Sequence, residues 1–228
     1  MKNTIRSIVV AASVMLVAGA CTDPTVAPKS TVSSANIFSE EASYKAFLAK
    51  IYAGLATSGQ QGPSGNGDIS GLDEGFSQYM RLWWQMEELP TDEAAIAWND
   101  GPLQELNTQI WASSNSFLGS MYYRIYFQVG LVNEFLRETT DAKLSSRGVS
   151  ATMRSEITRY RAEARFLRAY SYWHGMDLFG SIPLVKETDA VGKTPPAQAT
   201  RAEVYTYVVN ELTAVRSDLP VAGAAEYG

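Results

Sequence analysis

Residues 153–185 read MRSEITRYRAEARFLRAYSYWHGMDLFGSIPLV, and the fold turns on them. Met153, Ile157, Tyr160, Ala164, Leu167 and Ser171 follow one another at alternating steps of four and three, the spacing of a single helix face. Phe166, Ala169, Tyr170 and Trp173 form a neighbouring stripe. A helix over residues 153–178 is therefore apolar around much of its girth and is expected at the centre of the fold, packed on two sides. Arg154, Arg161, Arg165 and Arg168 make up its polar remainder, which reads as a solvated or salt-bridged face rather than a ligand site. Gly180 and Pro183 end it.

Outward from this helix the pattern stays helical. Tyr44, Phe47, Leu48, Ile51, Tyr52 and Leu55 recur at three- and four-residue spacing behind Ser39-Glu40-Glu41. Residues 59–75 hold six glycines and Pro63, which predicts a long loop. Its Asn66, Asp68, Asp73 and Glu74 lack the alternating oxygen spacing of an EF-hand, so no metal site is assigned. An aromatic segment, FSQYMRLWWQMEE at 76–88, leads into a turn at residues 89–93, where Thr91 or Asp92 is expected to cap the next segment. Trp98-Asn99-Asp100-Gly101-Pro102 is a second turn, and residues 103–111 are short and apolar. A second strong helix is expected over 117–137, with Tyr122, Ile125, Tyr126, Val129, Val132, Asn133 and Leu136 along one side, interrupted at 145–149. Residues 186–199 read as a linker. Thr200 and Glu203 then fit a capping box that opens a helix through Arg216. No period-2 segment long enough for a strand is found. The expectation is an all-α chain of helix pairs, similar to tetratricopeptide (TPR) units. The last helix carries Val204, Tyr207, Val208, Leu212 and Val215 with nothing after it to cover them, so the domain is expected to be truncated.

Composition narrows the chemistry. The chain has 228 residues, 24 acidic and 19 basic, for a net charge of −5 and a pI near 5.0. Nucleic-acid binders need a basic face to displace counterions, so a DNA or RNA partner is not expected. One cysteine, Cys21, and one histidine, His174, exclude an intrachain disulfide and a Cys/His zinc cluster. Any Ser/His/Asp or Cys/His catalytic set would have to be built on His174, which reads more simply as a helix-end histidine satisfied by a backbone group. Neither a cofactor nor a catalytic residue is assigned.

The first twenty residues read as an address. Lys2 and Arg6 precede a run from Ile8 to Ala20 broken only by Ser13, too short to span a bilayer and ending in small residues. Val17-Ala18-Gly19-Ala20-Cys21 looks like a lipobox, with cleavage before Cys21 and a lipid on its thiol. An ordinary cleaved signal followed by a chance cysteine is the alternative, and Ala18, where leucine is commoner, departs from the pattern. Loss of Lys2 and Arg6 leaves 17 basic against 24 acidic side chains, a net charge of −7. Residues 21–36 read as lipidated cysteine and flexible tether, up to about 50 Å when extended. Residues 37–220 form the helical domain, and 221–228 a tail or truncation point.

Glu-Ala-Arg-Phe-Leu-Arg-Ala-Tyr at 163–170, followed by Leu178-Phe179-Gly180 and Pro183-Leu184, resembles the hallmark of the SusD/RagB family of outer-membrane nutrient-binding lipoproteins. Supporting segments stand in the family's order: the Tyr-rich first helix, Glu88 to Glu93, Asn133-Glu134-Phe135-Leu136, and residues 200–220. The resemblance implies a TPR-like lipoprotein that captures glycans for a TonB-dependent transporter and performs no catalysis. Thr22 after the cysteine implies the outer membrane and a cell-surface location. The resemblance also implies that Glu163, Arg165, Phe166, Leu167, Arg168, Tyr170, Phe179, Gly180 and Pro183 are scaffold residues that identify the family. Family members are about twice this length. Gly175 departs from the hallmark helix, where glycine costs about 1 kcal/mol against alanine.

A sugar surface pairs aromatic faces with amides, carboxylates or arginines. Trp98 and Asn99, beside a Gly-Pro turn, have that chemistry, with Arg81, Trp83 and Trp84 as further candidates. At least one of the adjacent Trp83 and Trp84 is expected in the core. Two other readings stay open: a TPR-like protein-interaction scaffold, told apart by whether the Trp98 region is an exposed ledge, and a glycoside hydrolase. The latter would need two facing carboxyl groups about 5 to 9.5 Å apart, which sequence neighbours such as Glu87 with Glu88 or Asp92 with Glu93 do not themselves provide.

Overall fold

The computed structural model describes residues 37–59, 66–192 and 196–224; the signal, Cys21 and tether all fall outside them. Among the described residues seven helices follow in order: α1 (Ala42–Ala56), α2 (Tyr79–Glu88), α3 (Gly101–Asn107), α4 (Ser116–Glu138), α5 (Asp141–Ser146), α6 (Ala151–Phe179) and α7 (Arg201–Val215). Side chains take over orphaned backbone donors where the long helices α4, α6 and α7 start. Asn115 accepts from the amides of Phe117 and Leu118, Ser150 from Met153, and Thr200 with Glu203 closes the capping box expected from sequence.

Three groups of buried side chains hold the helices together, and α4 reaches all of them. Phe117, Met121 and Ile125 pack with Tyr79 and Leu82 of α2 and Leu103 and Leu106 of α3. One to two turns further on, Val132, Phe135 and Leu136 meet Tyr44, Leu48 and Ile51 of α1 and Ile157, Tyr160 and Leu167 of α6. Val129 joins Ala169, Tyr172 and Met176 of α6 and Val204 and Val208 of α7. The expected central helix, α6, does pack against α1, α4 and α7, but α4 shares the centre with it. The second stripe of α6 also departs from expectation. Ala169 is buried, while Phe166 and Trp173 are 38% and 42% exposed. Both rings keep part of their surface open to water, so the helix is less enclosed than its composition suggests.

Two further expectations need correction. No helix follows Thr91 before Gly101; the Thr91 hydroxyl instead donates to the Glu88 carbonyl and accepts from the Glu93 amide, closing a local turn. Strand is present where none was expected: β1 (Ile182–Pro183) pairs antiparallel with β2 (Gln198–Ala199), two residues each and too short to leave a period in the sequence. This pairing fastens Gln198 and Ala199 beside Ile182 and Pro183, and the Tyr172 hydroxyl holds both the amide and the carbonyl of Val185 at 2.7 Å.

Gly175 has a packing reason. A Cβ at this position would stand 2.8 Å from Ile182 Cδ1 and 3.5 Å from Ile125 Cγ2. The helix propensity that alanine would return is thus offset by overpacking against a fully buried isoleucine.

Candidate functional site

Arg81 and Trp98, seventeen residues apart in sequence, meet at the surface. Gln78 caps α2 by accepting from the Arg81 amide at 2.5 Å, which fixes the first turn, and Arg81 Nη1 donates to the Gly75 carbonyl at 2.8 Å. So held, its guanidinium lies 4.8 Å from the centre of the Trp98 ring, a cation–π contact. Trp98 is anchored from the other side of the chain, where Gln104 Nε2 of α3 donates to its carbonyl at 2.6 Å. The indole keeps 53% of its surface exposed, and Asn99 and Asp100 beside it are exposed too. The Asp100 carbonyl accepts the amides of Leu103 and Gln104, and Pro102 stands in the first turn of α3. The loop is thus clamped at both ends while its side chains face water. An exposed indole backed on one face by an arginine, followed in the chain by an exposed amide and carboxylate, suits a sugar ring: C–H groups stack on an aromatic face and hydroxyls find donors and acceptors.

Trp83 does not join this group. It stacks on His174, ring centres 5.0 Å apart and 15° from parallel, while Trp84 is 46% exposed, so the two adjacent tryptophans divide between core and solvent. His174 itself is 1% exposed, enclosed by Trp83, Tyr170 at 4.2 Å and Trp173 at 4.8 Å. Its Nδ1 shares a 3.0 Å hydrogen bond with the Tyr79 hydroxyl, not with a backbone group as the sequence suggested. Burial pushes the imidazole down to about 4, and Nε2 has no partner among the described residues.

Of the four α6 arginines singled out in the sequence, Arg165 and Arg168 are salt-bridged, Arg154 and Arg161 donate to carbonyls and hydroxyls, and Arg168 is buried outright. Its guanidinium meets Asn133 Oδ1 and Glu187 Oε2 at 2.5 Å and Glu211 Oε2 at 3.0 Å, joining α4, α6, α7 and the 186–199 segment. Arg165 forks onto Glu211 at 2.8 and 3.1 Å. Arg161 donates to the carbonyls of Leu136 and Thr139 at the end of α4, and burial lowers its pKa. Glu163 accepts from the Tyr52 hydroxyl at 2.9 Å. Leu167 is buried, Tyr170 half-buried, and Phe179 lies edge-on to Tyr122. Gly180 closes α6 at φ 71°, a conformation that favours glycine, and the Pro183 carbonyl accepts from Tyr126. Phe166 lines a groove of about 610 Å³ with Tyr52, Leu219 and Pro220.

In the glycine-rich loop Asp68 is spent on Arg124, at 2.6 Å, and on Lys50 at 3.8 Å. Among the described residues no group of three or more His, Cys, Asp or Glu could hold a metal ion. Arg124 does not stand out in the sequence. Its one signal there is a polar line, Ser120, Arg124 and Gln128, at four-residue spacing on the buried side of α4.

The described part of the chain defines an all-helical scaffold of paired helices that presents an arginine-backed tryptophan on a clamped loop. The chain belongs to the SusD-like family, whose model, described as starch-binding and associating with the outer membrane, matches residues 31–222. The starch-binding protein SusD of Bacteroides thetaiotaomicron is 34% identical over 183 residues, 78% of this chain and 30% of its own length. The chain thus spans about a third of that relative. A SusD superfamily protein of Bacteroides fragilis superposes with a TM-score of 0.63 at 16% identity, over 85% of this chain and 42% of that one. Surface glycan-binding protein A of Bacteroides uniformis gives 0.61 at 19% identity, over 82% and 38%. These solved structures bear out the TPR-like helical fold. Both the family's description and the name of the Bacteroides thetaiotaomicron relative are those of starch binders.

Proposed function

We propose that this protein is a cell-surface lipoprotein, held to the outer membrane through a lipid on Cys21, that captures glycans and delivers them to a partner TonB-dependent transporter. The observation that carries the glycan half of this reading is the Arg81–Trp98 stack, with Asn99 beside it, on an exposed ledge of a chain that belongs to a starch-binding family. An exposed ledge also favours glycan capture over the protein-interaction scaffold, for which the same aromatics would be buried. Trp98 would supply the stacking face, Arg81 would hold the indole and reach sugar hydroxyls, and Asn99 would donate and accept at the rim. Trp83, stacked on His174, supports the core instead. The delivery half rests on family resemblance, and the lipid on the lipobox at residues 17–21. Soluble starch is the first ligand to try, because the similar curated protein binds it. Native electrophoresis through gels containing soluble starch is expected to retard the protein, and reducing-sugar assays on the same mixture are expected to stay at background. Release of reducing ends would replace capture with hydrolysis.

A further inference from the structure

We infer that Arg124, buried on α4 and well away from the ledge along the chain, is a positioning residue for the Arg81–Trp98 pair; the inference rests on the glycan reading above. Arg124 is 1% exposed, and a buried guanidinium demands partners for its donors. It finds them on three segments. Nη1 meets Asp68 in the glycine-rich loop at 2.6 Å, and Nη2 meets the Ser58 carbonyl after α1 at 3.3 Å. Nε donates to the Ser77 carbonyl, and Nη2 reaches the Ser77 hydroxyl at 3.0 Å. Ser77 is therefore gripped at both its carbonyl and its side chain.

The residues flanking Ser77 are the ones that hold Arg81. Gln78, the next residue, accepts from the Arg81 amide and donates Nε2 to the Leu55 carbonyl at 3.1 Å; Gly75, two residues before, accepts from Arg81 Nη1. A continuous set of bonds thus runs from Asp68 through Arg124 to Ser77, across Gly75 and Gln78 to Arg81, and onto the face of Trp98. The direction of control follows from burial and donor count. Arg124 is locked by four bonds on three segments, whereas Arg81 is only partly buried and rests on the turn that Arg124 fixes. Lysine at 124 would keep the charge opposite Asp68 but lose the fork that grips Ser77, because an ammonium is a point donor.

The test reads the Trp98 indole N–H resonance, assigned with Trp98→Phe, in Arg124→Lys, Asp68→Asn and Arg81→Lys proteins. Arg165→Lys, which disturbs an ion pair on the α6–α7 side, serves as the control for general destabilisation. The expected result is that Arg124→Lys and Asp68→Asn move this resonance in the direction taken by Arg81→Lys, that Arg165→Lys leaves it in place, and that starch-gel retardation falls at least threefold in Arg124→Lys. If Arg124→Lys does not fold, Asp68→Asn decides. An unmoved resonance in a folded Arg124→Lys or Asp68→Asn protein overturns the inference. Absence of retardation in the unaltered protein would sink the glycan reading instead, and the resonance would still report whether Arg124 positions the pair.

Discussion

Arg168→Met is expected to cost about 3–5 kcal/mol in urea unfolding followed by far-UV circular dichroism, whereas Arg165→Met costs about 1 kcal/mol or less. The two arginines sit one turn apart and share Glu211, so the difference isolates burial. Arg168 is 2% exposed and is the point where Asn133, Glu187 and Glu211 converge from three parts of the chain. Its removal strands the buried Asn133 amide oxygen, takes the counter-charge from a partly exposed Glu187 and leaves a cavity where the guanidinium packed, and an unsatisfied buried polar group is what makes such losses large. Arg165 is partly exposed, and Glu211 would keep Arg168 as a partner without it. Equal costs for the two substitutions would show that the Arg168 network contributes no more than a surface pair.

Acidification is expected to weaken the fold in two stages, and the first belongs to His174. Its ordinary value is 6.5 and burial brings it to about 4 in the folded chain. Between those values the unfolded chain binds a proton that the folded chain refuses, so stability is full above 6.5 and falls as pH drops toward 4. The loss over that window is up to about 3 kcal/mol, since a pH interval of one between the two values corresponds to about 1.4 kcal/mol. The second stage starts lower. Against the opposing pull of burial, hydrogen bonds and charge from lysine or arginine keep Glu138, Glu187 and Glu211 below the carboxylate value of 4.5. Their contribution is present above 4.5 and is lost as pH falls below it through their folded values. Between pH 6.5 and 4.5 the loss is assigned to His174, opposed by Glu87, whose carboxyl burial and the nearby Asp177 and Glu88 charges raise above 4.5, and His174→Gln should abolish that loss in thermal melts taken across that range. An unchanged slope in the variant would remove His174 from the account.

The long helices were legible because their apolar residues recur with the helical period. The spacing of Tyr44, Leu48 and Ile51 in α1, of Ile125, Val129 and Val132 in α4, and of Ile157, Tyr160, Ala164 and Leu167 in α6 reports core faces that the structure buries. The capping box of α7 was legible because Thr200 and Glu203 serve each other within one turn. The features that escaped depend on distant partners. Nothing near Arg168 in sequence announces Glu187 or Glu211, so an arginine that belongs to the interior reads as a surface charge. Gly175 looks like a flaw in a helix until Ile182 is placed against it. Thr91 had the chemistry of a helix cap and spent it on a turn, because residues 94–100 carry no apolar repeat to be capped.

The candidate ledge was half legible. A tryptophan with asparagine and aspartate on a Gly-Pro turn signals an exposed polar-aromatic loop by composition alone. That Arg81 rather than Trp83 would meet it required the fold: Arg81 and Trp83 lie on different sides of α2, one toward the loop and the other against His174. Arg124 was harder still, since an arginine among the apolar residues in the middle of a helix reads as an imperfection until its four bonds are traced.

Calorimetric titration with maltoheptaose, comparing the unaltered protein with Trp98→Ala, puts the central claim to its most direct test. Loss of a stacking face worth about 1.4 kcal/mol weakens binding tenfold. The account predicts binding by the unaltered protein and an affinity at least tenfold lower in a Trp98→Ala protein of native helical content. Equal affinity in the two proteins, or no heat of binding in either, would contradict it.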